Sequence, residues 1–373
     1  MTSLYPLRFR EILRNYGFGA RWIVEAYEKA GLPDDHRVAE TWEVCDRPNG
    51  ESSEVVNGPL AGQTIHALID AHGADFLGRD VVDRWGTRFP LLIKFLDASN
   101  VLGEQTHPSD AMAAQEGLSD PGKTEAWYML KVRPGGSVHA GNLPGVTRDQ
   151  VRDAILHGTV KDLMVPYTVA PGDAFLLYAG TMHYSAGGVL FYEIMQNSDV
   201  TIGLRAPRAE LPPDEREAQL ARTLASVHVE EGFDAKTTPV ALSEGANTHT
   251  YVFACRYFAL ERLDLAGPAT LSCDGARFYV LSQIEGGAVV ACGEHREALR
   301  PGHTVLLPAS LGPVTITPTA PDCALLKTYV PDLAADVIAP LRAAGVADAA
   351  IVALGGRTVL NDLALLLWEP GPR

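Results

Sequence analysis

The chain has 373 residues, and 46 acidic against 31 basic side chains give a formal charge of −15. That length favours two domains or one large composite unit with ample material for a core. The charge gives no general pull toward nucleic acid or an anionic membrane, so an anionic ligand would need a local cluster of Lys and Arg working against the overall field.

Cys45, Cys255, Cys273, Cys292 and Cys323 are odd in number and widely spaced. With no Cys-x-x-Cys pair among them, they argue against a disulfide framework and against a thiolate zinc site. The opening "MTSLYPLRFREILRNYGFGARW" is interrupted by charge. No segment is apolar for the ~18 residues a membrane-spanning helix needs, so the expected location is the cytoplasm.

In chain order, residues 61–77, "AGQTIHALIDAHGADFL", carry Ile65, Leu68, Ile69 and Phe76 at helical spacing and predict an early helix. Then come "AWYMLKV", "DAFLLYA" and "GVLFYEIM", rich in β-branched and aromatic residues and bounded by Gly, Pro or Asp, which read as strands. A second helix is expected over 213–227, "PDEREAQLARTLASV", where Pro213 and Asp214 open it. "RFYVLSQI" and "TVLLPA" resume the strand pattern, and the residues after about 330 form a tail with helical apolar spacing and no assignable function.

An internal repeat sharpens this into a largely β protein. "WYMLKVRPGGSVHAG" at 127–141 lines up with "FYVLSQIEGGAVVACG" from Phe278, keeping the Gly-Gly pair at an offset of 151, and "PGDAFLLYAG" at 171–180 lines up with "PGHTVLLPAS" at 301–310. Two copies of one β unit predict two barrels or sandwiches in tandem, bridged by the helix near 213–227. The copies differ where chemistry would sit. His183 falls against Pro313 and Glu125 against Ala276, which makes the first copy the candidate active barrel.

Gln105 and His107, two apart in "LDASNVLGEQTHPSD", point the same way if they lie on a strand. With Glu125 and His183 they supply an amide oxygen, two imidazoles and a carboxylate, a set suited to zinc and also to nickel, cobalt, manganese or ferrous iron. Taken alone, Gln105 reads as a hydrogen-bonding group and each histidine as a satisfied core residue. The metal reading rests on the set of four. His139, opposite Val290 in the repeat, reads as a strand or loop residue and not a fifth ligand.

"PGDAFLLYAGTMH" resembles the second metal motif of cupins, with Tyr178 where a proline is usual. More specifically, "ETWEVCDRPNG", "NGPLAGQTIHALI", "PLLIKFLDASNVLGEQTHPSD", "GKTEAWYML" and "EIMQNSD", collinear from about residue 40 to 200, resemble the type I mannose-6-phosphate isomerases. The resemblance implies a tandem cupin, one divalent metal, most simply Zn2+, on Gln105, His107, Glu125 and His183, and active-site roles for Lys94, Lys123, Glu193 and Asp199. It implies proton transfer between C1 and C2 of an aldose and a ketose through a cis-enediol, on a small sugar or sugar phosphate. Such chemistry needs a group to take and return a proton and a positive group to hold developing oxyanion charge.

One departure stands against these matches. The family usually carries an arginine four residues beyond the aspartate of its "SD", whereas "SDVTIGLRAPR" has Gly203 there. Arg205 and Arg208 are the nearby cations for substrate binding. The departure leaves open an isomerase of another free or phosphorylated sugar, or a sugar-binding protein without turnover. The expected organisation is a catalytic cupin domain over 1–205, a helical linker over 206–232, a degenerate cupin over 233–330 and an extension over 331–373.

Overall fold

Strands dominate the computed structural model, which describes residues 3–27, 29 and 36–368. The ends of the expected first and last segments, residues 1–2 and 369–373, lie outside the described residues. The first group of strands is β1 (Leu7–Arg8), β2 (Ile12–Arg14), β3 (Glu40–Val44), β4 (Leu91–Ala98), β5 (Leu102–Thr106), β6 (Glu125–Ala140), β7 (Val165–Thr168), β8 (Ala174–Leu177), β9 (His183–Gln196) and β10 (Ile202–Gly203). The second group is β11 (Val240–Glu244), β12 (Asn247–Ala254), β13 (Ala259–Leu265), β14 (Ala269–Cys273), β15 (Tyr279–Glu285), β16 (Ala288–Cys292), β17 (His295–Leu299), β18 (Thr304–Leu307), β19 (Gly312–Pro318) and β20 (Cys323–Tyr329).

In the first barrel, the long strands β6 and β9 pair with each other and carry β8 and β7 on one side, and β4, β3 and β2 on the other. Strand β5 pairs the beginning of β9 and takes β10 on its outer edge. The period of two decides which residues face where. Leu96, Ala98, Trp127, Met129, Phe175, Leu177, Val189 and Phe191 fill the barrel interior. The alternate residues Phe95, Ala126, Tyr128, Leu176, Leu190, Tyr192 and Ile194 pack outward against Val252, Phe253, Leu260, Phe278, Val280, Leu306 and Leu326 of the second barrel. With ~1.5–3 kcal/mol for each large apolar side chain buried, this shared core ties the barrels firmly.

The second barrel combines the sheet β1-β18-β15-β20-β13-β12-β11 with the sheet β14-β19-β16-β17. Its edge partner β1 comes from the far N-terminus, with Leu7 opposite Leu306.

The early helix expected over 61–77 forms as two pieces, Ile65–His72 and Ala74–Leu77, parted at Gly73, and a further helix, Arg79–Trp85, follows Gly78; both glycines take positive φ. The second expected helix forms over Pro213–Ala225 but does not bridge the barrels. Its Leu220 packs with Val151 and Ile155 of helix Arg148–His157, on the flank of the first barrel. The tail folds back as short helices whose Leu333, Val337, Leu341, Ile351 and Leu363 cover Tyr251 and Tyr329 of the second barrel.

The repeat is present with a corrected register. Met129 exchanges backbone hydrogen bonds with the Gly172–Asp173 turn as Gln283 does with Gly302 and His303. Gln283 therefore stands where Met129 does, and Tyr279, not Ala276, stands where Glu125 does. The Gly-Gly pairs that suggested the offset of 151 sit differently: Gly135 and Gly136 lie inside β6, whereas Gly286 and Gly287 form the turn after β15.

Candidate metal centre

Local backbone contacts assemble the ligands. Gln105 lies opposite His183 in the β5–β9 ladder. Gly180, in the left-handed region at φ 92°, donates its N–H to the His107 carbonyl at 2.9 Å, so the turn before His183 is tied to the segment after β5. Lys123 N–H donates to the Pro108 carbonyl at 2.9 Å, fixing the approach to Glu125 beside His107.

Within this frame His107, Glu125 and His183 are buried, with one ligand atom of each inside a 4.8 Å span. Among the described residues no other trio of His, Cys, Asp or Glu converges this way. Glu125 Oε1 is 3.1 Å from His183 Nε2, and Glu125 Oε2 is 3.3 Å from His107 Nε2 and 2.9 Å from Lys123 Nζ. His107 Nδ1 faces the Val200 carbonyl at 2.9 Å and His183 Nδ1 the Thr181 carbonyl at 2.9 Å. Each carbonyl fixes the proton on Nδ1 and leaves the Nε2 lone pair aimed at the common point. The Gln105 amide lies beside this trio, its nitrogen 3.1 Å from His183 Nε2; exchanging the amide's N and O would turn its oxygen toward the same point.

His107 Nε2 and both Glu125 oxygens are buried and lack a partner in hydrogen-bond geometry. Such groups are costly unless something else satisfies them, and a divalent cation fits. The protonation states agree. Burial and the neighbouring Lys123 ammonium press the His107 imidazolium down to about 3, so the ring is neutral. Burial alone would raise Glu125, but Lys123 and the two histidines hold it well below the usual carboxylate range.

Beside this centre runs a buried row across four strands. Trp42, Lys94, Glu193 and Trp127 lie opposite one another on β3, β4, β9 and β6. Lys94 Nζ is 3.2 Å from Glu193 Oε2 and 3.2 Å from Glu40 Oε2. Trp127 Nε1 donates to Glu193 at 2.9 Å, and Trp42 Nε1 donates to Glu40 at 2.6 Å. Burial pushes Glu193 up; Lys94 opposes this, the Glu125 charge adds to it, and the carboxyl ends at about 7. Lys94 is raised despite burial, because Glu40, Glu193 and Asp199 surround it. Trp127 also meets the His183 ring edge-on at 5.4 Å, which couples the row to the ligand set.

Asp199 is exposed, and its own N–H donates to Asp120 at 3.0 Å. Arg205 and Arg208 are exposed and share a surface cavity of about 500 Å³ with Leu211 and Gln219. Gly203 lies opposite Gln105, and a Cβ built on it would sit 3.4 Å from Arg205 Nε. His139 stacks on Tyr184 at 4.4 Å, apart from the converging ligands. Sequence reading gave no role to Glu40, Trp42 or Trp127, although all three lay inside quoted motifs. Their signal was the period of two, Glu40–Trp42 and Glu125–Trp127, which aims alternate residues at one face.

Comparisons with known proteins agree with this geometry. Residues 8–126 match the family model for the catalytic domain of phosphomannose isomerase type I, and residues 247–322 that for the cupin domain of mannose-6-phosphate isomerase. The chain is 31% identical over 309 residues to the mannose-6-phosphate isomerase ManA of Bacillus subtilis (strain 168), covering 82% of this chain and 94% of that one. The type I mannose-6-phosphate isomerases are its family. The mannose-6-phosphate isomerase of Streptococcus mutans is 28% identical, over 73% of this chain and 83% of its own length. The crystal structure of a mannose 6-phosphate isomerase from Bacillus subtilis superposes with a TM-score of 0.73 at 25% identity, over 87% of this chain and 99% of that one. A putative mannosephosphate isomerase from Archaeoglobus fulgidus shares the fold, with a TM-score of 0.68 at 22% identity over 87% of this chain and 97% of its own. The expected mainly β, tandem cupin fold is thereby found. Within the family frame, the catalytic-domain match holds Lys94, Gln105, His107, Lys123 and Glu125, and His183, Glu193 and Asp199 follow it in the same barrel.

Proposed function

We propose that this protein interconverts mannose 6-phosphate and fructose 6-phosphate in the cytoplasm, with one zinc ion held by Gln105, His107, Glu125 and His183. The observation that carries the reading is the convergence of buried His107 Nε2 and Glu125 carboxylate atoms, none in hydrogen-bond geometry with a partner, next to the buried Lys94–Glu193 pair. The names of the relatives support the substrate, and the donor set supports a borderline divalent ion. Among the described residues no helix is long and apolar enough to cross a membrane, and the charge of −15 gives nucleic acid no purchase.

A bound zinc supplies Lewis-acid stabilisation of negative charge on a sugar oxygen. The chain's own groups do the rest. Glu193, ionising near neutral pH, takes the proton from C2 of the open-chain aldose and returns it to C1, while a proton passes from O2 to O1. Lys123, buried and 2.9 Å from Glu125, is the cation on hand for negative charge developing on those oxygens. Lys94 keeps Glu193 oriented, and Asp199 stands at the rim toward the bulk. Arg205 meets the phosphate from the space that a side chain at position 203 would take, with Arg208 beside it in the same cavity. Its fork suits two phosphate oxygens at once.

A coupled assay with mannose 6-phosphate and with mannose tests the reading, together with metal analysis of the purified protein. Turnover of the phosphate over the free sugar, with one zinc per chain, is the expected result. Arg205→Ala should weaken use of the phosphate by ~2–5 kcal/mol. Gly203→Arg in that background should recover part of it, since the three atoms nearest a Cβ at 203 all belong to the Arg205 side chain that this background removes. Equal use of the phosphate by wild type and an Arg205→Ala, Arg208→Ala double variant would remove both arginines from the substrate site.

A further inference from the structure

The segment that follows β2 is unused by this mechanism, yet it runs along the same wall. Ile12 lies opposite Trp42 and Arg14 opposite Glu40. The Arg14 guanidinium sits 4.0 Å over the Trp42 ring, itself a member of the Lys94–Glu193 row. Two residues on comes Tyr16, 40% exposed.

The turn that carries Tyr16 is pinned on its far side and open on the near one. Gly19 N–H donates to the Tyr16 carbonyl at 3.1 Å, and Asn100 N–H donates to the Phe18 carbonyl at 2.9 Å. Asp97 accepts from the N–H groups of Ala20 and Trp22 at 3.2 and 2.8 Å. Gly19 presses so closely on β3 that a Cβ there would come within 2.3 Å of Ala39 Cα, whereas Gly17 has nothing within 4 Å. Phe18 turns inward onto the barrel's apolar interior and meets the Tyr16 ring at 5.5 Å. An aromatic ring, 40% exposed, is thus carried on a turn held by backbone hydrogen bonds. Burial first, then the charges of Glu40 and Asp199, raise its hydroxyl above the ordinary value, with Lys94 and Arg14 opposing them.

We propose that Tyr16 forms the outer wall of the sugar subsite, its ring against the C–H face of the substrate and away from the carbons that exchange the proton. A rigid aromatic surface beside charged groups is the arrangement that binds a molecule with an apolar face and a polyhydroxyl rim. Arg14 sits over Trp42, which pairs with Lys94, and the Tyr16 ring meets Phe18 on the barrel's apolar interior, so the ring is an apolar surface beside the charged row; Glu40, Asp199, Lys94 and Arg14 are the charges that act on it. The inference rests on the isomerase reading for its ligand, and Tyr16 is a specificity residue in it, outside the proton transfer.

Steady-state kinetics on mannose 6-phosphate with Tyr16→Ala, Tyr16→Phe and Tyr16→Trp test this, with melting temperature as the check on folding. Tyr16→Ala should raise KM ~10-fold with kcat within ~3-fold, and the Phe and Trp variants should keep KM within ~3-fold of wild type. A Tyr16→Ala KM equal to wild type, or a Phe variant as impaired as the Ala variant, overturns the stacking role. If wild type itself fails to turn over mannose 6-phosphate, the isomerase reading falls. Calorimetric binding of mannose 6-phosphate then decides Tyr16 separately: ~10-fold weaker binding by the Ala variant alone supports the wall, and equal or absent binding by all of them overturns it.

Discussion

The two barrels hold the same row with its charges exchanged. In the first, Lys94 on β4 faces Glu193 on β9, flanked by Trp42 and Trp127; in the second, Glu261 on β13 faces Lys327 on β20, flanked by Tyr251 and Leu281. The surroundings then diverge. Tyr279 replaces Glu125, and Ser272 pairs with Pro313 as Gln105 pairs with His183, so no ligand set adjoins the second row. Arg277, two residues before Tyr279 as Lys123 is before Glu125, turns instead to Asp80 and Asp336.

Acidity follows the company each carboxylate keeps. Burial raises both. Lys327 and His249 then pull Glu261 down to about 2, with Tyr329 also donating to it. Glu193 has Lys94 on one side but the charges of Glu125 and Glu40 on the other, and stays near 7. A buried ion pair is therefore something this fold tolerates in either polarity. In the first row alone of the two, neighbouring carboxylates keep the paired acid from settling.

The comparison breaks most completely at the ligands. His183→Ala should abolish both metal content and turnover, while Pro313→Ala in the second barrel leaves both as in wild type; elemental analysis and the coupled assay read the contrast. Next, Lys123→Ala should lower kcat by at least ~10²-fold in a folded protein. Lys327→Met should instead leave kcat near wild type but cost ~3–5 kcal/mol in denaturant unfolding, since it strips Glu261 of its ammonium partner. The pH course of that stability has a defined sign. Glu261 is depressed in the folded state, so its contribution is present above its ordinary 4.5 and is lost as pH falls toward about 2. The Lys327→Met variant should lose less over that interval.

The smallest expected effect sharpens the first row. The base must be ionised, so kcat/KM should climb as pH rises through about 7. Trp127→Phe removes a donor that favours the ionised Glu193, and should move that limb up by ~0.5–1 pH unit. A limb that stays in place would detach Glu193 from the rate.

Much of this was legible in the chain. The strand blocks, the existence of the repeat and the trio His107, Glu125 and His183 follow from patterning and spacing, because such signals are local. The break at Gly73 was missed because apolar spacing persists across it while the backbone reverses through positive φ. The three-residue slip in the repeat had a similar source: a Gly-Gly pair reads alike whether it lies within a strand or ends one. Glu40 as partner to Lys94, and the exchanged pair at Glu261 and Lys327, are contacts between distant strands that only register reveals.

The pairing of β1 with β18 also sets a timetable. Leu7 and Arg8 find their partners Leu306 and Val305 only after roughly 300 further residues have been made, which at ~5–20 residues per second takes about 15–60 s. During that interval the growing chain can assemble most of its first barrel while its leading strand waits unpaired. This strand pairing thus joins residues that are synthesised roughly 300 positions apart. A polypeptide cut in the 206–232 connection would leave the second half without its edge strand, so the two halves cannot be inherited, expressed or exchanged as independent modules without carrying β1 along.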